Sequence, residues 1–278
     1  MRSVLFAPGN QPDVISKLPR TNPVAAVIDL EDSTPASHKA ESRKIAFEAA
    51  EVITKSCPLL IRINGIDTEW FEDDVAEVLS PSLLGVLVPK LASSEDVERA
   101  VSALDSAGLT DLSIMAGVET VQGVMNAVEV TKHPRIKWCY FGAEDYVADL
   151  GGVRRSDNLE VLVARSQVAQ AARITGISAL DMVVTDFRDS ERFKREAGEA
   201  RSLGYAGKLC IHPDQVGLAN ELFRPSDEEI EWANRIVSEY SKALSEYNKE
   251  WTIEELNGYL VKPAKWIKGT KMAFAGLR

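Results

Sequence analysis

Short apolar runs alternate with amphipathic stretches along most of the chain. Each run is long enough for one buried strand, and the stretches between them carry apolar residues at helical spacing, as in Ser37–Ile53 and Asn158–Thr175. The runs recur at intervals of roughly 25–35 residues, which is the length of one strand with its helix. The eight runs are Ser3–Gly9, Val24–Leu30, Pro58–Gly65, Gly85–Lys90, Leu112–Val118, Ile136–Phe141, Leu180–Val184 and Lys208–His212.

Eight strand-and-helix units predict an α/β fold, a (β/α)8 TIM barrel over residues 1–225. An open, doubly wound sheet is the alternative, but no G-x-G-x-x-G follows the first strand. Residues 226–278 lie outside this rhythm. The spacing of Ser226 and Glu229 is typical of a capping box that opens a long helix. We therefore predict a C-terminal helical extension, which we expect to pack on a neighbouring subunit.

Composition and charge limit the classes of partner that the protein could bind. The chain has 278 residues, 45% of them hydrophobic, and a formal net charge of −10. This charge argues against nucleic acid or an anionic membrane as the main partner. The cysteines Cys57, Cys139 and Cys210 are widely spaced and predict buried thiols. With no opening that resembles a signal peptide and no run of 18 apolar residues, we predict a soluble cytoplasmic protein.

Charged and polar residues follow nearly every apolar run. In a TIM barrel the C-terminal ends of the strands meet at one face, where the chemistry takes place. A single polar strand end can simply meet water, but six or more around one rim indicate a site. The residues concerned are Glu31, Asp32, Arg62, Asn64, Lys90, Glu119, Glu144, Asp145 and His212.

Glu119 and Asp145 lie 26 residues apart, one unit of the barrel. Two carboxylates without His or Cys predict a site for Mg²⁺, with Mn²⁺ as the alternative, and disfavour zinc. Arg62 could hold a substrate carboxylate or an enolate oxygen, or could form a structural ion pair with Glu31 or Asp32. Of the two acidic residues at this strand end, we expect Asp145 to be the ligand and Glu144 to support it.

Two other charged residues leave alternatives open. Lys90 could attract an anionic group or be a solvated loop cation. His212 is better explained as a core or rim histidine with its hydrogen bonds satisfied than as a catalytic group. No Gly-x-Ser-x-Gly elbow, P-loop or Cys/His nucleophile pattern is present, and we expect no buried lysine within a strand. A divalent ion beside a carboxylate-binding arginine suggests chemistry through an enolate.

In combination these motifs resemble the citrate lyase beta-subunit-like family of Mg²⁺-dependent TIM-barrel lyases, which includes malyl-CoA lyases. The similarity covers nearly the whole chain. The matching segments are Ser3–Gly9, Asp29–Asp32 with Lys39 and Arg43, Arg62–Asn64, Pro89–Lys90, Glu119–Thr120 with Gly123, Gly142–Asp145, and Gly207–Pro213 with Gln215.

The resemblance implies roles for individual residues. Arg62 and Glu119 would be catalytic and contact the substrate, Glu31 and Lys90 would lie in the substrate site, and Glu119 and Asp145 would bind Mg²⁺. The substrate would be a short 3-hydroxyacyl thioester of the citryl-CoA or malyl-CoA type, carried by CoA or by an acyl carrier protein. The family also implies a homotrimer or homohexamer.

The chain departs from the family pattern at Gln11, where an arginine is usual, and at Lys262, where many members carry an aspartate that reaches a neighbouring site. Lys262 reverses the local charge and cannot be a carboxylate base. Two further interpretations therefore stand beside the thioester lyase. One is a class II aldolase for a free 2-keto acid such as pyruvate or oxaloacetate. The other is a non-catalytic paralogue that binds a dicarboxylate.

Overall fold

Eight parallel strands close into a barrel in chain order, which confirms the predicted (β/α)8 fold. The computed structural model describes residues 1–245 and Thr252. The barrel closes where β1 pairs with β8, with Val4 opposite Leu209. The strands are β1 Ser3–Pro8, β2 Ala25–Asp29, β3 Leu59–Arg62, β4 Gly85–Val88, β5 Ile114–Val118, β6 Ile136–Phe141, β7 Ser178–Asp181 and β8 Gly207–Cys210.

Helices follow the strands, and those before Pro225 surround the barrel. Several begin at side chains that accept hydrogen bonds from the first turn; Ser93 and Asp96 form a capping box at the start of α4. Gly176 ends α8 in the left-handed conformation that glycine favours. The helices are α1 Pro12–Ile15, α2 Lys39–Ile53, α3 Phe71–Val78, α4 Ser94–Ser106, α5 Val121–Met125, α6 Ala127–Thr131, α7 Ala143–Leu150, α8 Leu162–Thr175, α9 Ser190–Leu203, α10 Pro213–Leu222 and α11 Asp227–Ser245.

Side chains pack on both faces of the barrel wall, because successive residues of a strand point to opposite sides. Val27, Leu60, Met115 and Tyr140 belong to the cluster that fills the barrel. A larger cluster lies between the strands and the helices. Because the strands are buried on both faces, their sequences do not alternate between apolar and polar residues. It also leaves the strand ends as the place where polar side chains can gather.

Four predicted strands end too late in the sequence, at Gly65, Lys90, Val184 and His212, and for the last two Gln215 gives the reason. The runs Leu180–Val184 and Lys208–His212 extend beyond β7 and β8. Gln215 Nε2 donates a hydrogen bond of 3.0 Å to the carbonyl of Val184, and its Oε1 accepts one of 2.8 Å from the amide of Ile211. A side chain therefore replaces a neighbouring strand at both positions. His212, expected in the strand, caps α10 instead.

A buried ionic cluster lies in the outer layer between β7, β8 and the helices α8 and α9. Asp181 accepts two hydrogen bonds from Arg165, of 2.7 and 2.9 Å, and one of 2.6 Å from Lys208. Glu196 Oε2 lies 3.8 Å from the same ammonium group. The expectation that no strand holds a buried lysine is wrong, since Lys208 is fully buried in β8. Its charge is neutralised inside the outer layer.

The chain divides into two compact units, Met1–Arg224 and Pro225–Arg278. Helix α11 belongs to the second unit, and its capping box is confirmed: the amide of Ser226 donates 2.7 Å to Glu229, whose own amide donates 3.1 Å to Ser226 Oγ. Lys262 lies outside the described residues, and the packing of residues 226–278 on a neighbouring subunit stays a prediction. In the described part of the chain, no helix has both the length and the apolar character to span a membrane. The three cysteines are free and buried.

Candidate active site

A cavity of about 390 Å³ opens at the C-terminal ends of the strands. It brings together Arg62, Glu119 and Asp145, which the sequence predicts as site residues. Apolar side chains complete its wall and limit the access of water to the acidic groups. The lining residues are Phe6, Pro8, Asp29, Asp32, Ser33, Arg62, Glu119, Tyr140, Phe141, Gly142, Ala143, Glu144, Asp145, Val183, Leu209 and Ile211.

Glu119 directly follows β5 and is 1% exposed. Its Oε1 accepts a hydrogen bond of 3.0 Å from the backbone amide of Lys90 and one of 2.9 Å from the Tyr140 hydroxyl. Burial first, and then the nearby carboxylates of Glu31 and Asp145, raise the pKa of Glu119 to about 7, although the Arg62 and Lys90 cations act in the opposite direction. The carboxylate is thus held in one orientation by groups that leave its negative charge poorly neutralised.

The other oxygen of Glu119 lies against Gly142, the residue before α7. A Cβ atom built at position 142 would stand 2.6 Å from Cβ of Glu119 and closer still to Oε2. Only a glycine leaves room for this carboxylate. Asp145 lies in the first turn of α7, not at the end of β6 as the sequence analysis expects, because the strand stops at Phe141. A carboxylate is stabilised at this end of a helix.

Lys90 interacts with both predicted metal ligands. Its amide contacts Glu119, and its ammonium group lies 3.5 Å from Oδ1 of Asp145. The same ammonium lies 2.5 Å from Oε1 of Glu31 and 3.8 Å from Asp32. Although partial burial disfavours the charged form, the contact with Glu31 holds the pKa of Lys90 above its usual value. Lys90 is therefore an ion-paired cation of the site, and the solvated loop cation is wrong.

Arg62 is held by Asp29, which the sequence analysis did not select. Arg62 Nε and Nη2 donate hydrogen bonds of 2.6 and 2.7 Å to the two carboxylate oxygens of Asp29. The guanidinium group also lies over the Phe6 ring, 5.4 Å from its centre. Burial alone would raise the pKa of Asp29, but the Arg62 charge and the hydrogen bonds from Arg62, Ser33 and the Glu31 amide together keep that pKa below its usual value. Asp29 thus fixes one edge of the arginine.

Glu31 connects Arg62 with Lys90. Arg62 Nη1 lies 2.9 Å from Oε2 of Glu31, so the ion pair expected from the sequence is present beside the stronger pair with Asp29. Asp32 is more distant, at 3.9 Å from Nη1. Burial raises the pKa of Glu31, and the two cations only partly counteract it. Glu31 is therefore a shared anion between two positive groups, in the region predicted to hold substrate.

Some polar strand ends do not join the site. His212 accepts a hydrogen bond from the amide of Asp214 and stacks on Phe187 with ring centres 4.4 Å apart, which agrees with a satisfied rim histidine. Glu144 lines the cavity but pairs with Arg154 at 2.9 Å. Asn64 is buried and donates to Asp74. Their polar atoms serve the local structure.

The donor set fits a hard divalent cation. Glu119 and Asp145 offer carboxylate oxygens at one cavity, and the hydrogen bonds that the described residues give Glu119 go to Oε1 alone. No group of three or more His, Cys, Asp or Glu side chains forms a metal site in the part of the chain that the structure describes. Two protein carboxylates with water and substrate oxygens are typical of Mg²⁺, which keeps several waters.

Comparison with known proteins agrees with this fold. The family model for HpcH/HpaI aldolase/citrate lyase matches residues 2–213. A citrate lyase subunit beta-like protein of Deinococcus radiodurans is 51% identical over 232 residues, 82% of this chain and 81% of the relative. A (3S)-malyl-CoA thioesterase of Cereibacter sphaeroides is 34% identical over 243 residues, 87% and 84% of the two chains.

Solved structures of citrate lyase beta subunits are also similar to this chain. The citrate lyase beta subunit of M. tuberculosis, complexed with oxaloacetate and magnesium, has a TM-score of 0.71 at 28% identity and covers 81% of this chain and 97% of its own. The protein CitE of Mycobacterium tuberculosis with magnesium, acetoacetate and coenzyme A has a TM-score of 0.72 at 26% identity, and 92% of each chain is covered.

The family match and the lyase relatives identify this barrel as an enzyme of the lyase class. The chain belongs to the HpcH/HpaI aldolase/citrate lyase family. Membership of a family of enzymes weighs against the non-catalytic paralogue.

Proposed function

We propose that the chain is a Mg²⁺-dependent carbon–carbon lyase that cleaves a short 3-hydroxyacyl thioester carrying a distal carboxylate. The observation that carries this proposal is the placement of a buried, electrostatically unsatisfied Glu119 beside Asp145 and Arg62 in one cavity. Glu119 and Asp145 would hold the ion. When bound, Mg²⁺ supplies stabilisation of negative charge that develops on a carbonyl oxygen.

Cleavage breaks the bond between C2 and C3 of the acyl chain. The C3 hydroxyl loses its proton and becomes the carbonyl of a 2-oxo acid, while the electron pair of the broken bond passes into the thioester as an enolate. The enolate then takes up one proton at C2, which replaces the proton lost from the hydroxyl and gives the shortened acyl thioester. Arg62 is suited to hold the anionic oxygens, because Asp29 fixes its orientation and leaves part of its Nη1–Nη2 edge available. Phe6, Val183 and Leu209 exclude water from that face.

The relatives support the substrate class. A malyl-CoA thioesterase relative and a neighbour solved with coenzyme A both point to a CoA thioester of the malyl-CoA or citryl-CoA type. Lys90 and Glu31 line a second pocket of about 530 Å³, which shares Asp32 with the first cavity, and they would contact the distal part of the substrate.

The decisive experiment combines calorimetry with an activity assay. Wild-type protein should bind Mg²⁺, and in its presence should bind acetyl-CoA or propionyl-CoA and release a 2-oxo acid from malyl-CoA or citryl-CoA. Glu119→Ala should lose both Mg²⁺ binding and cleavage. Mg²⁺ binding unchanged in Glu119→Ala, or no binding of either acyl-CoA, would overturn the proposal.

A second candidate is a class II aldolase that acts on a free 2-keto acid. It is favoured by the neighbour solved with oxaloacetate and magnesium. In the same calorimetric series, heat with pyruvate or oxaloacetate but none with an acyl-CoA would select this activity.

We also propose that the protein assembles as a homotrimer or homohexamer. Four large apolar residues are exposed on elements that contact one another. They are Met125 on α5, Leu150 on α7, Leu159 in the turn before α8 and Val163 on α8. Such a surface favours association. Sedimentation should give an oligomer, and Val163→Lys should shift it toward monomer; a monomeric wild-type protein would refute this assembly.

A further inference from the structure

Lys90 lies between the two carboxylates that would bind the metal. Its backbone amide donates a hydrogen bond to Glu119, while its side chain turns toward Asp145. The positive charge of a lysine in contact with both carboxylates disfavours the binding of a second cation there, because like charges repel over such distances. Lys90 therefore needs a stabilising role that offsets this repulsion.

The surroundings of the ammonium group are acidic. Glu31 lies at 2.5 Å, Asp145 at 3.5 Å and Asp32 at 3.8 Å, and the side chain of Lys90 is 37% exposed. A fourth carboxylate, that of Glu119, is close enough to favour the charged form of Lys90. Without a cation here, these carboxylates would repel one another. Lys90 supplies that cation from within the chain.

The backbone at Lys90 shows that its position is enforced. Its φ of 55° lies in the left-handed region, which is unfavourable for a residue with a side chain. The conformation turns the amide to Glu119 at the end of β4 while the side chain reaches Glu31 and Asp145. Lys90 thus contacts Glu119 through its backbone amide, and Glu31 and Asp145 through its ammonium group.

We propose that Lys90 is the resident cation of the metal-free site, where it neutralises Asp145 and competes with Mg²⁺ for it. This inference rests on the proposed function, since it takes Glu119 and Asp145 as the metal ligands. Lys90 then stabilises the metal-free enzyme and weakens Mg²⁺ binding. A displaced ammonium group keeps its partner Glu31 and becomes available to an anionic substrate group.

The test is Mg²⁺ calorimetry on Lys90→Met, which keeps an unbranched side chain and the same backbone requirement but removes the charge. At pH 8.5, where the carboxyl groups are ionised, we expect Mg²⁺ to bind about tenfold more tightly than to wild type. The melting temperature without metal should fall, and its rise on adding Mg²⁺ should exceed that of wild type. Lys90→Arg, which keeps the charge, should bind Mg²⁺ like wild type within about threefold.

Equal or weaker Mg²⁺ binding by Lys90→Met would overturn the inference. Lys132→Met is the matched control, because Lys132 pairs with Glu129 on α6 at the opposite end of the barrel; its Mg²⁺ affinity should not change. If Lys90→Met does not fold, Lys90→Gln answers the same question. A wild-type protein without Mg²⁺ affinity refutes the proposed function itself, whereas normal wild-type binding with unchanged Lys90→Met refutes only the role of Lys90.

Discussion

Gly142 packs directly against the carboxylate of Glu119, so that a methyl group at position 142 would occupy space that Glu119 already fills. The backbone of Gly142 has a φ of −99°, which alanine also adopts, so any effect of a side chain here comes from contact and not from backbone strain. Gly142 therefore shapes the site through the atoms that it lacks.

Gly142→Ala should displace Glu119 and weaken Mg²⁺ binding by about tenfold or more, with a stability loss of about 1–3 kcal/mol from overpacking. Calorimetry and urea denaturation measure the two effects. Gly198→Ala is the control, because nothing lies within 4 Å of a Cβ atom there. Wild-type Mg²⁺ affinity in Gly142→Ala would contradict the assignment of Glu119 as a ligand.

Mg²⁺ binding should depend on pH through Glu119. A metal ligand must be deprotonated, and the pKa of this carboxyl group is raised to about 7 in the metal-free protein. The apparent Mg²⁺ affinity should therefore fall by up to about tenfold per pH unit below 7 and become constant above about pH 8. Calorimetry at several pH values in two buffers also counts the proton released on binding. A flat profile between pH 6 and 8 would exclude this linkage.

The same residue should lower the stability of the metal-free enzyme. The folded protein binds the Glu119 proton more tightly than the unfolded chain, so the stability contributed by this group is present below about pH 4.5 and is lost as the pH rises through 7. Glu119→Gln should therefore be more stable than wild type at pH 8 by on the order of 1–3 kcal/mol when Mg²⁺ is absent.

Glutamine can accept the same hydrogen bonds at Oε1, so packing should be retained in this variant. Chemical denaturation with a chelator present measures the difference. A Glu119→Gln protein that is less stable than wild type at pH 8 would show that the buried charge is already compensated.

Asp29 should determine substrate affinity through Arg62. Asp29→Asn keeps the shape but removes the charge that orients the guanidinium group, so Mg²⁺-dependent binding of oxaloacetate should weaken by about tenfold. Affinity for Mg²⁺ alone should change by less than about threefold, since Asp29 is not a proposed ligand.

Asp67→Asn is a suitable control for this variant, because Asp67 also pairs with an arginine, Arg99 at 2.9 Å, but on the exposed surface. Its oxaloacetate affinity should match wild type. If Asp29→Asn binds oxaloacetate normally, Arg62 is oriented by Glu31 alone or does not contact the substrate.

The fold could be predicted from the sequence because eight apolar runs at regular intervals leave few alternatives to a barrel. The ends of β7 and β8 could not, since Val184 and Ile211 satisfy their backbone groups on the side chain of Gln215. An apolar run shows which residues are buried. It does not show whether a strand or a side chain completes their hydrogen bonds.

The position of the site could likewise be predicted, because strand ends in this topology share one face. The partners within it could not. Arg62 pairs with Asp29 because these residues lie opposite each other in the β2–β3 register, and a single sequence with three acidic candidates does not fix that register. Tyr140 was missed because a strand buried on both faces shows no alternation that would reveal which residues point into the barrel.

The charges around Lys208 have a consequence for how the barrel selects one alignment of its strands. In β8, Lys208 points to the helices while its neighbour Leu209 points into the barrel. If β8 slipped by one residue, Leu209 would face the carboxylate of Asp181 and the lysine would enter the apolar interior. Either change would leave a buried charge unpaired. The cluster therefore disfavours a one-residue misalignment of β8 in a barrel wall that is otherwise mostly apolar.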